Sequence, residues 1–241
     1  SSDLADDYGL TAGINRTIEA CIDAGAVNGV SLIVNGDPRA YEQALAYLKA
    51  HPEVRVMVHL NLAEGRCMAD PSDVDLLVNS EGVFRHSFVS LWKFFLLSGA
   101  SIRQQLREQI AAEYAAQVAY AVRAGAVDPL ALNLDGHGHY HMIPFIFDAL
   151  LRLADQYRIR YVRVTSEPWV WPSLDPGCWR NYLGPNILKH ILLRVLSLPA
   201  ATKARARGIA VADFWYGALF SGDMSVAILE KWLRRIPPAD R

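Results

Sequence analysis

Short, almost wholly apolar runs alternate with amphipathic helical patterns along most of this chain, and that alternation restricts the folds open to it. Residues 30–34, 54–60, 131–134 and 161–164 read as strands, and 11–24, 38–50, 101–123 and 144–157 read as helices between or after them. Runs apolar at nearly every position suit strands covered on both faces. Helices between such strands favour parallel βαβ units. Two further helical patterns at 186–198 and 200–207, a strand at 209–212 and a last helix at 225–235 extend the series. The expected fold is α/β, an irregular (β/α) barrel of mostly parallel strands, as a single domain over residues 1–241. No internal repeat, low-complexity stretch or linker interrupts it.

Composition removes several classes of function. Lysine and arginine number 24 against 25 acidic residues, a net charge of −1. Nucleic-acid binding demands clustered cations to neutralise phosphates, and the most basic stretch, 203–207, is short enough to be one solvated helix face. The chain carries 3 cysteines. Cys21, Cys67 and Cys178 are too sparse for a disulfide framework and lack metal-ligand spacing, which points to a reducing, cytoplasmic compartment. No run approaches the roughly 20 apolar residues that span a bilayer. The acidic start, with Asp3, Asp6 and Asp7, is unlike a secretory signal peptide.

In folds of this class chemistry gathers at the carboxyl ends of the strands, and three polar clusters fall there. Ala5-Asp6-Asp7-Tyr8-Gly9 precedes the first helix, His59 ends the run at 54–60, and Asp135-Gly136-His137-Gly138-His139-Tyr140-His141 follows the run at 131–134. Adjacent aspartates are common at caps and turns, and a lone histidine after a strand is often a core or rim residue. Three histidines within five residues, set between glycines that allow close backbone approach, are harder to explain structurally and point to a metal. Asp7, His59 and His137 would form a two-histidine, one-carboxylate set suited to a borderline divalent ion, with zinc preferred and magnesium the alternative. Such an ion acidifies water and polarises a carbonyl. Asp6 is then free to act as general base. If the segment is extended, His139 and His141 share a side with His137, and one of them can orient a carboxylate.

At these residues the sequence resembles the YdjC-like carbohydrate deacetylases, the family of chitooligosaccharide deacetylase and the hopanoid-associated deacetylases. The resemblance runs through Ala5-Asp6-Asp7-Tyr8-Gly9-Leu10, Gly13 and Asn15, then Ser31 to Gly36, Val58-His59-Leu60 and Glu64-Gly65. It is sharpest from Leu134 to Met142 with Pro144, and fades through Arg163 and Glu167-Pro168. It implies an irregular (β/α) barrel that removes acetyl groups from N-acetylated sugars, free, oligomeric or lipid-linked. It further implies Asp6 as catalytic base, Asp7, His59 and His137 as holders of one divalent ion, and a homodimer. Two departures stand out. In this sequence Ser1 to Ala5 precede the aspartate pair, where the family has a full hydrophobic strand. The family also carries a His-Pro-Gly-like motif on a strand after the final helix, whose histidine the resemblance implies as general acid. Residues up to Arg241 stop about where that strand would start. Either the motif lies beyond them, or another acid serves, with His139 and His141 as substitutes, or activity is impaired.

Further candidates surround the expected substrate. Glu64 and His141 belong to the shared motifs. Arg163 reads either as a contact to a sugar hydroxyl or carboxylate, or as the partner of Glu167. Trp169, Trp171 and Trp179 either stack on sugar rings or pack down their loop. The apolar segment 88–97 reads as a core or dimer helix, or as a lid facing a lipid-linked sugar at the inner face of the membrane, to which 188–198 would contribute. A related deformylase, or a sugar-binding homologue that has lost its acid, are the alternatives to a deacetylase.

Overall fold

The computed structural model describes residues 3–169, 181–221 and 225–234. Contacts within the chain divide it into two compact units, Ser2–Val162 and Arg163–Arg241.

The first unit holds one five-stranded sheet of β1 (Leu4–Tyr8), β2 (Gly29–Leu32), β3 (Arg55–Leu60), β4 (Leu132–Gly136) and β5 (Ile159–Val162), in the order β1-β2-β3-β4-β5. All four pairings are parallel. A consecutive order means that every crossover steps the same way. That is the winding of a (β/α) barrel and not of a doubly wound sheet, whose order reverses at a switch point. The crossovers carry α1 (Ala12–Asp23), α2 (Pro38–Ala50), then α3 (Phe88–Leu97) with α4 (Ala100–Arg123), and finally α5 (Pro144–Arg152). Local chemistry starts them where expected: Asp37 accepts from the Ala40 amide at 2.9 Å, with Pro38 in the first turn, where its missing N–H costs nothing. In α3, Leu91 and Phe95 are buried, and Phe95 stacks on Phe145 of α5 at 3.8 Å between centroids. This helix is therefore a core helix along one face, while Val89, Leu96 and Leu97 stay exposed.

Three expectations are corrected in this unit. Leu4–Tyr8, read as a polar cluster at a strand end, is itself a strand, because its backbone pairs with β2. Helix α5 is shorter than the pattern at 144–157 suggests, giving way to a tight turn at Leu153–Asp155. Strand β5 ends at Val162, so Arg163 follows it instead of lying within it.

In the second unit the patterns at 186–198 and 200–207 form one helix, α6 (Pro185–Ala206). Pro199 lies inside α6; its ring removes one backbone donor, but the flanking turns continue. The expected strand at 209–212 contributes a single bridge residue, Ala210. A final helix, α7 (Val226–Leu233), helps to bury Leu219, Phe220, Ile228 and Trp232 as a local core. No helix among the described residues is long and apolar enough to cross a membrane.

Candidate metal centre

The site begins with an irregularity in β1. Ala5 pairs with Val30 and Tyr8 with Leu32, so Asp6 and Asp7 together oppose the single residue Ser31. Asp7 has φ 67°, a left-handed conformation that few non-glycine residues adopt. In a regular strand successive side chains point to opposite faces. The extra residue and the left-handed turn break that alternation, and both carboxylates reach the same histidine: each offers an oxygen within 4.8 Å of a His59 ring nitrogen. Backbone strain at such a point is tolerated where the surroundings over-determine it.

The surroundings do so here. The Gly9 amide donates to Asn15 Oδ1 at 2.8 Å, and Asn15 Nδ2 donates to the Ala40 carbonyl at 2.7 Å. This buried asparagine thus clamps the turn behind the aspartates to α2. Gly9 has φ 89°, and a Cβ there would sit 2.6 Å from the Ile33 carbonyl oxygen, so only glycine fits.

Strand register supplies the next ligands. His59 pairs with Asp135 across β3 and β4, and Ser31 pairs with Met57, two residues before His59. The period of two therefore sets Ser31, His59 and Asp135 on one sheet face. His59 Nδ1 lies 2.6 Å from Asp135 Oδ1, and Ser31 Oγ donates to Asp135 Oδ2 at 2.6 Å. His59 Nε2 faces Asp7 Oδ1 at 3.3 Å. The same Asp7 oxygen lies 2.6 Å from His137 Nδ1, and His137 Nε2 lies 3.1 Å from Glu64 Oε1. Glu64 sits on the loop after β3, which is pinned from beneath: Asn61 Nδ2 donates to the Glu64 carbonyl, and Gln117 of α4 both donates to and accepts from the Asn61 backbone.

Electrostatics follow from this geometry. Burial alone would push the Asp7 carboxyl up, yet hydrogen bonds from His137 and His59 outweigh it and hold the group well below the usual carboxylate range. Burial likewise disfavours a charged His59, but the Asp135 carboxylate, with Asp7 and Asp6 behind it, pushes its pKa up to about 10. Both shifts describe a pocket that attracts positive charge. The donor set fits a divalent ion: one carboxylate and two imidazoles present atoms within 4.8 Å of one another. The cluster can bind a metal ion. Exposure grades across it, from 33 % for the Asp7 side chain and 18 % for His137 to 3 % for His59 and none for Asp135, so the site opens towards Asp7, His137 and Glu64.

The other candidates fall elsewhere. Residues His137–Met142 form a tight turn, not an extended segment, because Gly138 and His139 both take left-handed φ values of 57° and 61°. His139 and His141 therefore do not line up beside His137. Their rings lie 6.5 Å apart, His141 is buried and His139 is half-buried. Arg163 belongs to the second unit, buried, with its guanidinium 6.0 Å from the centroid of Trp215. Glu167, considered as its ion-pair partner, instead accepts from the Gly217 and Leu219 amides at 2.9 Å each and lies 3.0 Å from His190 Nδ1. Trp169 lies edge-on to Tyr182 and His190. Trp171 and Trp179 lie outside the described residues. Sequence reasoning gave no role to Ser31 or Asp135. Both stood in recognisable motifs, and the available signal was their position one strand apart from His59 with the same parity.

The profile of the YdjC-like proteins matches residues 4–241. A carbohydrate deacetylase of Brevibacillus brevis is 32% identical over 173 residues, 71% of this chain and 60% of that protein. One from Geobacillus stearothermophilus is also 32% identical, over 71% of this chain and 62% of its own length. A carbohydrate deacetylase of Xenopus laevis is 28% identical over 67% of this chain and 49% of that protein. The chain thus spans between about half and about three fifths of the length of these curated relatives.

Proposed function

The chain belongs to the YdjC-like proteins, and from that membership we propose that it is a metal-dependent hydrolase that removes the acetyl group from an N-acetylated sugar. One observation carries the reading: Asp7, His59 and His137, remote in sequence, bring donor atoms within 4.8 Å of one another, with Asp6 beside His59. The names of the relatives supply the substrate class. Asp7, His59 and His137 would hold one divalent ion, with zinc favoured by the imidazole-rich donors. When bound, such an ion supplies Lewis-acid polarisation of the amide carbonyl and acidification of water.

The chain's own groups do the rest. Asp6 accepts the proton of the attacking water as the new C–O bond forms. His139, part-exposed on the turn that carries His137, returns a proton to the leaving nitrogen as the C–N bond breaks, giving acetate and the free amine. Glu64, on the open side, contacts the sugar, with His141 as a further substrate contact. Residues 1–241 act as one catalytic domain, as a cytoplasmic homodimer, and the sugar is an oligosaccharide or a lipid-linked glycan. Asp6→Asn tests the assignment: zinc content should be retained and acetate release from an N-acetylated disaccharide abolished. Unchanged turnover would remove Asp6 from the mechanism.

A further inference from the structure

We infer that Asp135, backed by Ser31, is a positioning residue that fixes the ring of His59 and thereby sets the affinity of the site for its ion. The inference rests on the metal-dependent reading above and adds to it two residues outside the Asp7, His59 and His137 set.

Asp135 stands behind His59 and does not join it at the open side. Its Oδ1 takes the Nδ1–H of the imidazole at 2.6 Å, which leaves Nε2 as the nitrogen that faces Asp7. A hydrogen bond at one ring nitrogen decides the tautomer and so which nitrogen is available as a ligand. The second oxygen of Asp135 is held by Ser31 Oγ at 2.6 Å, so the carboxylate cannot swing away from the ring. All three groups sit on paired strands, β2, β3 and β4, and not on loops. A site so mounted is held to tighter geometry than one on loops.

Burial argues for a working role. Asp135 and Ser31 have no exposure and His59 has 2 %. Burying a carboxylate and an imidazole is costly, and well-packed apolar residues would serve a purely structural purpose at least as well. What an apolar pair cannot do is hold an imidazole in one tautomer, raise its donor strength and add negative charge behind a cation. Asp135 and an ion at Nε2 lie on opposite edges of the same ring, so the carboxylate strengthens that nitrogen without competing for the ion.

The test uses the full chain stripped with a chelator, and zinc affinity measured by competition with a chromophoric chelator. Asp135→Asn keeps the shape of the side chain and should weaken zinc binding roughly 10- to 100-fold. In the zinc-saturated protein the Nδ1–H of His59 should resonate far downfield in the wild type, as a proton held against a carboxylate does, and should move upfield in the variant. A D135N protein that binds zinc as the wild type does, with the Nδ1–H resonance of His59 unchanged, overturns the inference. Ser31→Ala keeps the carboxylate and should weaken zinc several-fold; should D135N fail to fold, an S31A protein with wild-type affinity and ring shifts overturns it instead. A wild-type chain that binds no zinc overturns the metal reading itself, and this role with it.

Discussion

Asp7 Oδ1 lies 2.6 Å from His137 Nδ1 although 130 residues separate the two along the chain. The contact joins the bulge of β1 to the turn after β4, and the same oxygen faces His59 Nε2 at 3.3 Å. One carboxylate oxygen therefore organises two imidazoles from two other elements. Removing the charge from Asp7 takes away the negative group that both rings face.

Asp7→Asn should separate the ligand role from the base role of Asp6. Asparagine tolerates the left-handed backbone of this position, so the fold should survive while zinc binding is lost. Asp6→Asn should keep zinc and lose roughly 10²- to 10⁴-fold in acetate release, the usual contribution of a positioned base. Zinc stoichiometry beside acetate release distinguishes the two variants. Equal zinc retention in both would contradict the assignment of Asp7.

Metal removal should register as lost stability. An ion that binds only the folded chain contributes about 2.7 kcal/mol at 100-fold excess over Kd, a rise in Tm of roughly 5–10 °C for a chain of this size. Thermal melts with a chelator and with zinc measure the difference. His59→Gln should bring the two melts together, since Nε2 of His59 is one of the donors.

Asn15 carries no chemistry, yet its substitution should reach the site. Asn15→Ala leaves the Gly9 amide and the Ala40 carbonyl without their buried partner, at a cost of about 2–4 kcal/mol. Denaturant unfolding measures that loss. Because Gly9 lies two residues after Asp7, zinc affinity should fall as well, although Asn15 is no ligand.

Glu113 gives the chain a pH dependence independent of the ion. Its fully buried carboxylate accepts from the Met68 and Ala69 amides at 3.0 Å and from Gln117 Nε2 at 2.7 Å. Burial pushes its pKa above the ordinary 4.5, and those bonds only partly restrain it. A raised folded-state pKa means that the folded chain binds the proton more tightly than the unfolded one. This stabilisation is complete below 4.5 and is lost as pH rises through the raised value. Glu113→Gln should flatten the fall, read as the difference between variant and wild type in unfolding free energy at acidic and neutral pH.

Sequence alone determined the βα alternation, the start of α2 at Pro38, the lengths of most helices and the three clusters that meet at the site. These are local properties: hydrophobic period, cap chemistry and turn residues act within a few positions of themselves. Family resemblance in the motifs at 5–10 and 134–142 carried the assignment of ligands further than spacing could. Tertiary structure decided what depends on partners distant in the chain. The bulge that turns Asp6 and Asp7 to one side exists because β1 pairs with β2, and the strand itself escaped notice because its centre is two carboxylates. Asp135 became a partner of His59 only through the register of β3 with β4. His139 and His141 left the line of His137 because two left-handed residues coil that segment, a choice of backbone dihedrals that residue type permits but does not dictate.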